Sequence, residues 1–144
     1  MCAKKATKSK KKPLGIVTRG KRKASIARAT ISKGTGVIRL NSMNLDAISN
    51  RYVRELISEP VNIAKEISST VDISINVQGG GEMGQAQAAR LAVARALIKY
   101  SDDPTMKDKM LERDRFLIAE DSRRIEPKKY KGPKARARFQ KSYR

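Results

Sequence analysis

The sequence contains no histidine, no tryptophan and one cysteine, Cys2. Without histidine there is no imidazole to act as a base near neutrality or to bind a metal. One thiol can neither close an intrachain disulfide nor assemble a zinc site. Aromatic residues make up 4% of the chain and apolar residues 39%, which leaves a modest core for 144 residues. No apolar run approaches the roughly 20 residues of a membrane span. The basic opening also lacks the apolar stretch of a secretory signal. The expectation is a reducing, cytoplasmic setting with no membrane contact, no metal and no cofactor. The carboxylates of Asp114, Glu120 and Asp121 stand among Lys and Arg, where surface ion pairing is a simpler account than catalysis, so an enzyme is not expected.

What is abundant is positive charge, a formal +19. Residues 1–23 hold ten Lys or Arg and no acid, and residues 123–144 hold ten against the single acid Glu126. The 99 residues between hold 13 bases and 13 acids, so the two ends carry the entire excess. A compact chain with such a field calls for a polyanionic partner. The charge distribution is that of an RNA-binding protein with a neutral middle and two basic ends.

Residues 1–13 are rich in Lys, Ser and Ala and end at Pro13, a composition that stays disordered alone. Ile16 to Thr18 and Ser25 to Ile31 read as one long or bent strand. Gly34-Thr35-Gly36 reads as a turn into Val37–Leu40, giving a hairpin. Leu45, Ile48, Tyr52 and Leu56 repeat at helical spacing, Pro60 interrupts, and Val61, Ala64 and Ile67 suggest a second short helix. Val71, Ile73, Ile75 and Val77 alternate with polar residues as in a half-buried strand. After a glycine-rich turn, residues 85–100 predict a helix with Ala86, Ala89, Val93, Ala96, Leu97 and Tyr100 on one line and Arg95 and Lys99 on the far side. Asp103-Pro104 resembles an N-cap opening a helix through Met106 and Met110, and Leu117-Ile118 reads as a last short strand. Beyond Ser122 the apolar pattern stops, and Pro127, Gly132 and Pro133 predict an extended segment ordered by a partner.

Three motifs carry the binding chemistry. Gly79, Gly81 and Gly84 match G-x-G-x-x-G between a strand and a helix, as a dinucleotide site requires. However, Asp102 and Asp103 follow the helix directly, where such a site needs an acid ending a second parallel strand, and the other strands of that fold are missing. No Lys-Ser or Lys-Thr follows Gly84, which excludes a Walker A loop. Two readings stay open: a tight strand-to-helix turn, or a loop whose bare amides approach RNA phosphate at a helix N-terminus. Arg19-Gly20-Lys21-Arg22-Lys23 is either a solvated charged stretch or a phosphate grip held on a strand. In the last 22 residues Tyr130, Phe139 and Tyr143 alternate with bases, which suits stacking or packing into a folded RNA. A free-standing RNA chaperone would share these features.

Several short matches occur in one order. They run from Gly20-Lys21-Arg22-Lys23-Ala24-Ser25 and Ala27-Arg28 through Gln78-Gly79-Gly80-Gly81, Gly84-Gln85-Ala86, Ala89-Arg90-Leu91 and Ala94-Arg95-Ala96-Leu97. They continue with Asp121, Arg123, Glu126, Lys128-Lys129, Lys134-Ala135-Arg136 and the ending Phe139-Gln140-Lys141-Ser142-Tyr143-Arg144. Together these resemble the small-subunit ribosomal protein S-nine family from about Gly15 to Arg144, and the ending resembles its archaeal and eukaryotic-cytosolic branch.

That resemblance implies an α+β fold. Its parts are a small mixed sheet of about four strands, packed helices, a left-handed βαβ crossover of the ribosomal protein S-five domain-two type, and an extended C-terminal tail. Residues 1–13 would be a disordered extension, 14–122 a globular RNA-binding domain and 123–144 the tail. It implies a seat in the head of the small subunit, beside neighbouring head proteins and not as a homo-oligomer. The residues expected at ribosomal RNA are Arg19, Lys21, Arg22, Lys23, Arg28, Gly79, Gly80, Gly81, Gly84 and Gln85, and in the tail Arg123, Arg124, Lys128, Lys129, Tyr130, Lys131, Lys134, Arg136 and Arg138. Lys141, Tyr143 and Arg144 are expected at the anticodon stem-loop of peptidyl-site tRNA, with Arg144 at the position matching the family's terminal arginine.

Overall fold

The computed structural model describes residues 15–140 and 142. The expected long strand at the start is two: β1 (Ile16–Arg22) and β2 (Ser25–Lys33) pair antiparallel, with Arg22 opposite Ser25 across a two-residue turn. That turn is Lys23-Ala24, with Lys23 at φ 53°. It lacks the Asn-Gly or Asp-Gly signature that betrays such a turn in sequence.

The expected hairpin between β2 and Val37–Leu40 does not form. Strand β3 (Ile38–Leu40) lies parallel to β5 (Val71–Gln78), and β5 pairs antiparallel with β2, so β5 sits between them. Asp72 directs this exchange. Its Oδ1 accepts the amides of Thr35 at 2.8 Å and Val37 at 3.0 Å, and so carries the chain past the end of β5. Strand β4 (Met43–Asn44) completes the order β1-β2-β5-β3-β4, a mixed sheet of five strands.

Between β3 and β5 the chain crosses over through α1 (Arg51–Ile63) and the single turn α2 (Lys65–Ser68). The buried face of α1 is Val53, Ile57 and Pro60, while Tyr52 is exposed. The expected stripe fails because Leu45 lies in a separate 3-10 turn (Leu45–Ala47) and Ile48 in its extended cap. Their phase therefore does not carry into a helix that starts at Arg51. Pro60 does not interrupt α1, which runs to Ile63. Its missing donor weakens the helix there, yet its ring is fully buried in the core.

Helix α3 (Glu82–Ser101) is the centre of the molecule. Nine of its residues are buried, four beyond the predicted stripe: Ala88, Leu91, Ala92 and Ala94. The single-stripe reading falls short because α3 packs against the sheet and against α1 on another side. Alanines let neighbouring backbones approach. A Cβ on Gly20 would fall inside the Ala88 carbonyl, so β1 rests directly on α3. Thr18 seals that contact by donating its hydroxyl to the Ala92 carbonyl at 2.7 Å.

Helix α4 (Pro104–Arg113) begins after Asp103, whose backbone is in the cap conformation but whose side chain makes no cap hydrogen bond. Leu117-Ile118 is not a strand. Asp114 accepts the Phe116 amide at 2.8 Å and folds Arg115–Leu117 into a 3-10 turn that buries Leu117. After Ser122 no helix or strand forms among the described residues. The tail is not extended throughout, because it turns back on itself around residues 130–136.

Candidate nucleic-acid interface

The β1–β2 turn, the glycine loop and the root of the tail meet at one end of the sheet. Gly79 and Gly80 have φ of 77° and 68°, where L side chains are strained. A Cβ on Gly79 would press on the Ala24 carbonyl, and one on Gly80 or Gly84 would press on Ser25 Oγ. Three of the four predicted glycines are therefore explained by packing against the neighbouring turn. Gly81 is different. It has φ −109° and open space where a Cβ would stand.

Gly81 is the N-cap of α3, and it offers no side chain to cap the first turn. The amides of Glu82, Met83 and Gly84 have no intrahelical acceptor, the first such bond being Gln85 to Gly81. They stand at the positive end of a 20-residue helix, a setting that favours an anion. Ser25 Oγ is buried beside them without a hydrogen-bond partner among the described residues. The Gln85 Nε2 donates to the Gly79 carbonyl at 3.2 Å and holds the loop's shape. A cleft of about 580 Å³ opens here, walled by Arg22, Lys23, the Gly80–Gly84 loop and Ile125.

Gly81→Ala and Gly80→Ala should separate the two roles of the loop. Gly80→Ala forces a side chain into the left-handed region and into Ser25, so it should lower stability by roughly 1–3 kcal/mol. Gly81→Ala should leave the melting temperature within about 2 °C, in keeping with a surface change of under about 0.5 kcal/mol, and should still weaken RNA binding. Thermal unfolding and a filter-binding titration of both variants check this.

The tail is tied to this end by Asp121. Its carboxylate is buried and ion-paired with Arg22 of β1. It also accepts the Arg123 amide at 2.8 Å and the Arg123 guanidinium at 2.7 Å. Surface pairing is therefore the wrong description for Asp121, which buries its charge to join strand and tail. Arg95, expected on the solvent side of α3, is likewise drawn inward. It donates to the carbonyls of Arg19 at 2.8 Å and Ile118 at 2.8 Å and pairs with Glu120 at 3.0 Å. Arg90 performs the same task between helices, pairing with Glu59 at 2.6 Å and Asp114 at 2.7 Å. Burial works to raise the Asp114 pKa, but the Phe116 amide and Arg90 outweigh it and hold that carboxyl below its ordinary value. Sequence reasoning missed these anchors because an ionic side chain carries no periodic signal of its own burial.

Within the tail, Glu126 pairs with Lys129 and Arg136, each at 2.9 Å. Hydrogen bonds from Arg136 and Lys129 lower its pKa. Arg138 donates to the Tyr130 carbonyl at 3.0 Å, and Gly132 is packed so closely that a Cβ would meet the Ala137 carbonyl. The resulting loop leaves the rings of Tyr130 and Phe139 exposed, with Lys131 Nζ 5.7 Å from the Tyr130 centroid. Arg124, Lys128 and Lys134 are exposed as well. Lys141, Tyr143 and Arg144 lie outside the described residues, as do residues 1–14.

Not every predicted residue joins this end. Lys21, Arg22 and Lys23 do. Arg19 and Arg28 face each other across β1 and β2 and are exposed on the sheet surface away from α3. Among the described residues, no cluster of His, Cys, Asp and Glu could hold a metal ion, and no helix is long and apolar enough to cross a membrane.

A family model described as Ribosomal protein S9/S16 matches residues 20–144. The small ribosomal subunit protein uS9 of Methanothrix thermoacetophila is 46% identical over 125 residues, covering 87% of this chain and 95% of that protein. The matched span takes in the β1–β2 turn, the glycine loop and the whole tail, so the chain belongs to the ribosomal protein S9/S16 family and is a protein of the small ribosomal subunit.

Proposed function

We propose that this chain is a structural, non-catalytic component of the small-subunit head that grips ribosomal RNA at the end where turn, loop and tail root converge. The observation that carries this reading is the cleft between Arg22, Lys23 and the bare N-terminus of α3, with the tail leaving from its wall at Ile125. Backbone amides and guanidinium groups fix phosphates without reading sequence, which suits a scaffold contact. The folded part, residues 14–122, serves as the frame. Residues 1–13 and 123–144 are the arms that order on RNA, and the chain acts as one copy among neighbouring head proteins in the cytoplasmic ribosome. The tail continues towards the peptidyl site, where Lys141, Tyr143 and Arg144 contact the tRNA anticodon stem-loop.

Deleting residues 141–144 tests the finer part of this reading. The shortened chain should sediment with salt-washed small subunits as the full chain does, while tRNA dissociates faster from the peptidyl site. Loss of incorporation would make the tail tip an assembly element instead. Unchanged tRNA retention would remove the tRNA contact from the account.

A further inference from the structure

The face of the sheet turned away from α3 is covered by no element among the described residues. Along β2 and β5 the inward residues Ala27, Ala29, Ile73 and Ile75 are at most 1% exposed, while Arg28, Ser74 and Asn76 are open to solvent. The register places Arg19, Arg28 and Asn76 in one row, and Arg39 beside Ser74 in the next. Like charges directly opposite on paired strands destabilise a sheet. Arg19 and Arg28 are such a pair, and neither has a carboxylate partner among the described residues.

The remaining residues contain no Asp or Glu. The one acid on this face, Asp72, already accepts the amides of Thr35 and Val37. The Val37 and Thr35 amides hold that carboxyl below its ordinary value, helped by the nearby Arg39. That leaves Arg19 and Arg28 as the uncompensated pair, a cost to the fold that an external anion would relieve.

The other groups on the face narrow the anion's class. No aromatic ring projects from it, so it offers no platform for unpaired bases. Its centre is instead amide and hydroxyl: Asn76 and Gln78 border a shallow depression of about 80 Å³ with Ile26 and Arg28. Five strands spaced about 4.8 Å apart give a surface roughly 20 Å wide. A-form RNA presents a wide, shallow minor groove lined with 2′-hydroxyls and flanked by phosphates. Amides matched to hydroxyls, with arginines at the flanks, fit that surface.

We propose that the open sheet face is a second RNA-binding surface that docks the minor groove of a ribosomal RNA duplex, with Asn76 and Gln78 at ribose hydroxyls and Arg19, Arg28 and Arg39 at phosphates. This rests on the proposed RNA-bound function, and the test keeps the two apart. Iron-EDTA is tethered to a single cysteine in the full chain carrying Cys2→Ser, at Ser74→Cys on the face or at Lys128→Cys in the tail. Each derivative is assembled into small subunits and radical cleavage is triggered.

Ser74→Cys should cut both strands of one ribosomal RNA helix, at positions offset across its minor groove. Cleavage from Lys128→Cys alone, or cleavage of a neighbouring protein from Ser74→Cys, would overturn the sheet-face proposal and leave the tail contacts standing. Silence from both would overturn the RNA-bound function itself. Arg28→Gln with Arg39→Gln should also make the salt slope for an RNA duplex shallower by about two. An unchanged slope would count against the arginine contacts.

Discussion

Replacing Asp121 with alanine is expected to destabilise the protein by about 3–5 kcal/mol, the range found when one partner of a buried ion pair is removed. Asp121 is 7% exposed and the Arg22 side chain 16%, so the substitution strands a guanidinium that water reaches poorly. It also removes the acceptor of the Arg123 amide. The matching change on the outer partner, Arg123→Ala, should cost under about 1 kcal/mol, because that side chain is 72% exposed and screened by solvent. Urea unfolding of both variants checks the contrast, with an unchanged m-value confirming that midpoints can be compared. A loss of under about 1 kcal/mol from both would mean that Asp121 serves only as an ordinary surface acid. Asp121→Ala should also speed tryptic cleavage at Arg123 and Arg124, since it unties the tail root from β1.

The role of Asp121 illustrates what could be read from residues alone. Alternation in Val71–Val77 located β5 and its buried face, because a half-exposed strand writes its period into the sequence. Its position in the centre of the sheet was not legible. That depends on Asp72 capturing two amides more than thirty residues away in the chain, a contact with no local signature. Helix α3 was legible as a helix but not as a central one, since alanine suits both a solvent face and a close backbone contact. Among the site residues, turn, loop and tail were each recognisable by charge or glycine. Their meeting at one end follows from the β1–β2 turn, which the sequence disguises as a continuous strand. Arg28 and Lys21–Lys23 show the same gap: close in sequence, they lie on different surfaces.

The steepest response should be to salt. If the chain neutralises about ten phosphates, log affinity against log salt should slope near −7 to −9. Affinity would then fall by roughly 10⁴–10⁵ between 50 and 200 mM salt, in line with proteins making a similar number of phosphate contacts. Removing residues 123–144 takes away ten bases and one acid, so the slope should drop by about half. A full-chain slope shallower than about −3 would defeat the electrostatic account. Charge is not the tail's whole content, however. Tyr130 and Phe139 are 87% and 67% exposed, apolar rings that the folded loop leaves uncovered. Stacking on bases would use them, contributing about 1–3 kcal/mol per base without releasing counterions. Tyr130→Ala with Phe139→Ala should therefore lower affinity tenfold or more, the equivalent of about 1.4 kcal/mol or more, at an unchanged slope. Unchanged affinity would instead mark the tail as a polycation and nothing further.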